Sequence, residues 1–123
     1  MKTILALCGL SLVIGALVLW QVVRLPTEYG DFTGAPRVEV ADLVERPTDF
    51  LRRTVAIDGE IRDQCTTMGC YFFFRSGKRM LRVDLQEIAM NAPRRNGHVA
   101  RVEGQVVPYG DGHQFLASAV KFE

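Results

Sequence analysis

The sequence carries no surplus of either charge. Fifteen Lys and Arg stand against fourteen Asp and Glu, and beyond residue 30 there are thirteen of each. Nucleic-acid binding depends on clustered Lys and Arg that release counterions, so this balance speaks against DNA or RNA as a partner. Arg52 with Arg53 and Arg94 with Arg95 are local basic pairs and read as solvated surface charge. Histidine is scarce: His98 and His113 each open an expected strand near a turn, the place of an exposed strand-end residue. Neither stands at a suggestive spacing from Ser76 or Ser118, so no nucleophile and base pair shows. Asp58, Glu60, Asp63 and Asp84 lie on or beside expected strands, and nothing in the spacing pairs two of them in one cleft. A phosphate-binding loop, a dinucleotide fingerprint, a zinc signature and internal repeats are all missing. These absences argue against an enzyme and for a binding or structural module.

What is present begins with a greasy head. Residues 4–23 run for twenty positions without a charge. At ~1.5 Å rise per residue that length matches a hydrocarbon core of ~30 Å. Trp20 sits near its far end, where indole favours the interface, and Lys2 and Arg24 flank it. A cleaved signal peptide needs a shorter apolar core and small residues at the cut, whereas this run is long and ends in bulky residues. Cys8 follows Leu7 too early to be a lipidation site. The expected organisation is a transmembrane anchor over residues 1–24, a Pro- and Gly-rich linker over 25–37, and a domain over 38–123. The anchor, the cysteine pair and the acidic Glu28 and Asp31 imply a single-pass membrane protein with its N-terminus inside and its domain outside.

Within the domain, Val40, Leu43 and Val44 recur at helical spacing over residues 38–51, with Pro47 as the expected break and Thr48 and Asp49 as the cap of a following turn. Strands follow over 54–62, 71–74, 80–85, 98–107 and 114–122, by alternation and β-branched content. Ser76, Gly77 and Lys78 read as a hairpin turn, residues 86–90 as a helical turn, and residues 108–112 as the last turn. Gly59 and Gly104, inside the long first and fourth strands, fit the bends or bulges of a closed barrel. Five strands with a short helix between the third and fourth is the order of an oligonucleotide/oligosaccharide-binding (OB) barrel. The expected fold is therefore mainly β: a five-stranded OB-like barrel with a short helix, preceded by one N-terminal transmembrane helix. A five-stranded open sandwich is the competing architecture.

Two features carry what chemistry there is. Cys65 and Cys70 bracket four residues that include Met68 and Gly69. A structural disulfide pinning this corner is one reading, contributing ~2 kcal/mol by chain entropy for so short a loop. A soft-metal site is another, since two thiolates with the Met68 thioether suit Cu(I). A redox pair is a third, although the spacing is not Cys-x-x-Cys, and a pair of free thiols is a fourth. The second feature is the run Tyr71, Phe72, Phe73 and Phe74. Strand side chains alternate, so two rings point in and two point out, and the outward pair needs cover from the 38–51 helix, the membrane or another protein.

The stretch RPTDFLRRTVAIDGEIRDQCTTMGCYFFF, followed by LRVDL and GHVARVEGQV, resembles small exported bacterial OB-fold proteins of unknown function with a Cys-x4-Cys-aromatic motif. Val55, Ile57, Gly59, Cys65, Gly69, Cys70 and Tyr71 carry the resemblance, which covers residues 38–123. It implies an OB fold and, with the anchor, a single-pass protein of the bacterial inner membrane with its N-terminus cytoplasmic and its domain in the periplasm, but no activity. The membrane-anchored haem chaperone of cytochrome c maturation is similar in architecture. Its haem-attaching histidine lies near a tyrosine, and here Gln114, Phe115, Leu116 and Ala117 follow His113.

The function expected from these readings is an accessory or assembly subunit of a membrane protein complex, respiratory or photosynthetic or its assembly machinery. Tyr71, Phe72, Phe73 and Phe74 are its candidate partner contacts, and no cofactor is required. The alternatives are copper or haem delivery or redox work through Cys65 and Cys70 with Met68 or a histidine, and small-ligand or oligosaccharide binding on the barrel face.

Overall fold

The computed structural model describes residues 9, 11–17, 26–65, 70–89 and 92–123. Its elements are strand β1 (Glu28–Gly30), helix α1 (Val40–Glu45), a 3-10 turn (Pro47–Phe50), and strands β2 (Val55–Arg62), β3 (Tyr71–Ser76), β4 (Arg79–Asp84), β5 (Val99–Tyr109) and β6 (Gly112–Phe122). Five strands follow one another around a ring in the order β5, β2, β3, β4, β6, and β6 pairs back onto β5 to close it. Every pairing in the ring is antiparallel except that of β4 with β6, where Val83 meets Phe115 and Asp84 meets Leu116. This is a closed OB-like barrel, and the open sandwich is set aside because β5 and β6 pair along their whole length.

Three local expectations change. Helix α1 covers only Val40–Glu45 of the 38–51 stretch. Pro47 has no N–H for the ladder and restricts Arg46, which leaves helical geometry at φ −132 and ψ 57. Thr48 and Asp49 then sit inside the 3-10 turn, and no side chain caps it. Residues 86–88 make a turn and nothing longer, with the amides of Ile88 and Ala89 on the Leu85 carbonyl. The stretch 25–37 contains an element: β1 pairs with Ala119, Val120 and Lys121 of β6, beyond the part of β6 that β4 occupies.

Alternation in β3 and β4 sends Phe72, Phe74, Leu81 and Val83 inward. They meet Val55, Ile57 and Ile61 of β2, Val102 and Val106 of β5, Phe115 of β6, and Leu43 of α1. Phe72 and Phe74 lie with ring centroids 5.0 Å apart at the centre. Burying a ring of this kind stabilises the fold by roughly 1.5–3 kcal/mol. Gly104 is the bulge the sequence suggests, since the β5–β6 register shifts between Glu103 and Gly104. Gly59 is not a bulge. It stays in register with Ala100, and the Phe74 ring occupies the space its Cβ would take, 2.7 Å from Cγ.

One buried carboxylate ties the lead-in to the barrel. Glu103 is 1% exposed. Its Oε1 accepts from the Thr33 amide at 2.9 Å and the Thr33 hydroxyl at 2.6 Å, and its Oε2 from the Ala35 amide at 3.2 Å. Burial by itself raises this carboxyl, but the Thr33, Ala35 and Gly34 hydrogen bonds outweigh it and hold it below its ordinary range. A depressed carboxylate contributes stability above its unfolded pKa and loses that contribution as pH falls through the folded value. Glu103→Gln is therefore expected to cost about 1–3 kcal/mol at neutral pH, because an amide nitrogen would face the Ala35 donor. Urea titrations at successive pH values check this: the wild-type advantage over the Gln variant shrinks below about pH 4.

Candidate functional site

The outward face of β3 and β4 is where the sequence-predicted residues gather. The two-residue turn at Gly77 and Lys78 sets Tyr71 opposite Asp84 and Phe73 opposite Arg82. Alternation then puts Tyr71 and Phe73 outside, half-buried, with their rings edge to face at 5.8 Å. Phe72 and Phe74, the other two candidate partner contacts, are fully buried and belong to the core. Helix α1 packs beside Met80 and Leu81, at the other end of β4 from Asp84.

Arg82 is the centre of this face. Its guanidinium carbon lies 4.0 Å from the Tyr71 ring centroid and 4.7 Å from that of Tyr109, at the end of β5. Its Nε donates to Gln114 Oε1 at 2.9 Å. Gln114 Nε2 in turn donates to Asp84 Oδ2 at 3.3 Å, and Asp84 Oδ1 accepts from the Gln86 amide at 2.8 Å. Gln114 and Asp84 are 8% and 6% exposed, so the chain of bonds behind the arginine is shielded. Sequence reasoning missed Arg82, Tyr109 and Gln114.

Cys65 and Cys70 close the same end of the face. The Cys65 amide donates to the Tyr71 carbonyl at 2.9 Å and the Leu85 amide to the Cys70 carbonyl at 2.8 Å, which fixes both cysteines against the start of β3 and the end of β4. The two sulfurs lie within hydrogen-bonding reach of each other. Burial pushes the Cys70 thiol up, the Cys65 hydrogen bond and charge add to that, and nearby Arg82 pulls weakly the other way. In its reduced form Cys70 is therefore protonated at neutral pH. Met68 and Gly69 lie outside the described residues, as does Trp20. Among the described residues no group of three or more His, Cys, Asp or Glu could hold a metal ion. His98 is exposed with Nδ1 3.0 Å from the Glu123 carbonyl, and His113 lines a groove with Leu43 and Met80.

The carboxylates do not converge. Asp58 is held between Arg37 and Arg101, and Glu60 pairs with Arg62. A cavity of about 290 Å³ beside Glu103 is lined by Glu28, Phe32, Arg101 and Lys121, and Glu103 itself is already engaged by Thr33 and Ala35. Of the expected anchor, residues 9 and 11–17 are helical, and Leu12, Val13, Ile14 and Leu17 are exposed. No helix among the described residues is long and apolar enough to cross a membrane.

The ring order, the parallel β4–β6 pair and the bulged fourth barrel strand define an OB-like barrel. No family model and no curated protein matches the sequence. Among solved structures, the chain is similar to one described as an aspartyl-tRNA synthetase from Leishmania major Friedlin. The likeness has a TM-score of 0.52 at 14% identity, over 75% of this chain and 21% of that one. At that identity it concerns the fold, and this chain spans about a fifth of the other's length.

Proposed function

We propose that the protein is a membrane-anchored, extracytoplasmic OB-fold module without enzyme activity, acting as an accessory or assembly subunit of a membrane protein complex. The observation that carries this reading is the outer face of β3 and β4, where Tyr71, Phe73 and Tyr109 surround Arg82 on the solvent side of the barrel. Aromatic and arginine side chains are the residues most often found at the energetic centre of protein interfaces. The exposed Leu12, Val13, Ile14 and Leu17 support the anchor, because a helix that shows apolar side chains to its surroundings is suited to lipid. The balanced charge of the domain supports a protein rather than a nucleic-acid partner.

The test is a photo-crosslinking side chain at position 73 in native membranes, with one at exposed Arg52 as the control. A single membrane-protein adduct from position 73, co-purifying in mild detergent, is the expected result. Phe73→Ser should weaken that association by about 2 kcal/mol, roughly 30-fold in Kd. A monomer with no adduct at native expression level would refute the docking role. The nearness of the Cys65 and Cys70 thiols favours copper delivery as a second reading. Stoichiometric Cu(I) on the purified reduced protein, lost in Cys70→Ser, would put that reading first.

A further inference from the structure

Arg52, Arg75, Arg79 and Arg94 are exposed, and several other arginines on the domain are spent on carboxylates or carbonyls. Arg37 and Arg101 share Asp58, Arg46 meets Asp42 and Asp49, Arg62 meets Glu60, and Arg95 donates to the Pro26 carbonyl. Arg82 differs. Its contacts are the faces of two tyrosine rings, which its guanidinium carbon overlies, and one amide oxygen on Nε. The carboxylate nearest to it by sequence register, Asp84, is reached only through the Gln114 side chain. Among the described residues, Nη1 and Nη2 make no hydrogen bond and no ion pair. A long side chain normally sweeps many rotamers, and this one is held in place on a half-buried site before any ligand arrives. With Nε engaged, Nη1 and Nη2 are the donors left, and a guanidinium edge matches a planar oxyanion through two parallel N–H bonds.

We propose that Arg82 is a binding site for a carboxylate, received edge-on by Nη1 and Nη2 between the Tyr71 and Tyr109 rings. The site offers one positive charge, with the Asp84 carboxylate one amide behind it, so a singly charged anion fits and a phosphate dianion would be opposed. The neighbouring Cys70, kept as a neutral thiol, does not compete as an anion. The inference does not depend on the docking role. A glutamate or aspartate of a partner polypeptide and a free small carboxylate are two sources of the same group.

The experiment follows the Arg82 Nε–Hε resonance and the tyrosine ring signals of the full chain in detergent micelles. The titrants are acetate, the blocked peptide acetyl-Gly-Glu-Gly-amide, inorganic phosphate and chloride. Saturable shifts with both carboxylates, weaker ones with phosphate and none with chloride are expected. A peptide tighter than acetate identifies a polypeptide side chain as the source, and the reverse identifies a small molecule; either supports the site. Arg82→Met should abolish the tyrosine shifts, and Arg82→Lys should weaken binding roughly 10-fold by losing the bidentate edge. If Arg82→Met fails to fold, Tyr109→Leu stands in: Tyr109 is 49% exposed, and losing one ring should weaken binding about 3-fold to 5-fold. No saturable shift with either carboxylate, shifts that survive Arg82→Met, unchanged affinity in Tyr109→Leu, or phosphate tighter than acetate overturns the proposal. Photo-crosslinking from position 73 that persists in Arg82→Met would leave the docking role standing without this site.

Discussion

Gly104→Ala is expected to lower the midpoint of thermal unfolding by at least about 12 °C, since about 3 kcal/mol is lost and each kcal/mol moves a domain of this size by roughly 4–8 °C. The cause is contact rather than backbone freedom. A Cβ at Gly104 would lie 2.2 Å from the Leu116 carbonyl oxygen and 3.0 Å from the Ala117 Cα. Both belong to the paired backbone of β6, which cannot step aside as a flexible side chain would. Relief requires β5 and β6 to separate at the bulge, and that pairing is the one that closes the barrel. Gly77→Ala is the control. Gly77 has φ +60 in the β3–β4 turn and open space around its Cα, so alanine there should cost about 1–2 kcal/mol from the left-handed conformation alone. Calorimetry on both variants separates the two mechanisms. Equal losses would mean that the close approach to Leu116 relaxes, and that the closing pair is softer than its register suggests.

Much of the barrel is legible in the chain because it rests on short-range rules. Alternation in residues 54–62, 71–74 and 80–85, together with the turn residues at 76–78, fixes the β3–β4 register as soon as that turn is recognised. From it, Arg82 and Asp84 fall on the face of Tyr71 and Phe73, opposite Leu81 and Val83. The outward position of Arg82 was therefore available from alternation alone, and its chemistry was not. The stack on Tyr109 and the bond to Gln114 depend on β4 lying parallel to β6, a pairing across thirty-two residues that no local pattern encodes. Distance hides Glu103 in the same way: it reads as a polar break in an apolar strand until Thr33 and Ala35, about seventy positions earlier, close over it. Strand β1 is too short to alternate and sits among prolines and glycines, so its residues read as a tether. Gly59 misled for a different reason. A glycine in a strand signals either a bulge or a close neighbour, and only the Phe74 ring distinguishes them.

Phe72→Ala should cost about 3–5 kcal/mol, the range for a fully buried ring, while its neighbour Phe73→Ala should cost less than about 1 kcal/mol. Phe72 is 0% exposed, with the Phe74 and Phe122 rings at 5.0 Å and 6.4 Å, so truncation leaves a cavity between rings that cannot collapse into it. Phe73 is half-buried on the other side of the same strand, and its ring contact is the edge of Tyr71. Truncating Phe73 opens no enclosed cavity in the core. Urea unfolding of both variants, with the slope of the transition checked for constancy, measures the difference. The pair also tests the docking face without any knowledge of the partner. A ring held outward for another protein costs the isolated chain little when removed and costs the complex a great deal. If Phe73→Ala destabilised the lone protein as much as Phe72→Ala does, that ring would be spent on internal cover. The outer face of β3 and β4 would then keep Tyr71, with Tyr109 beside it, as its aromatic anchors.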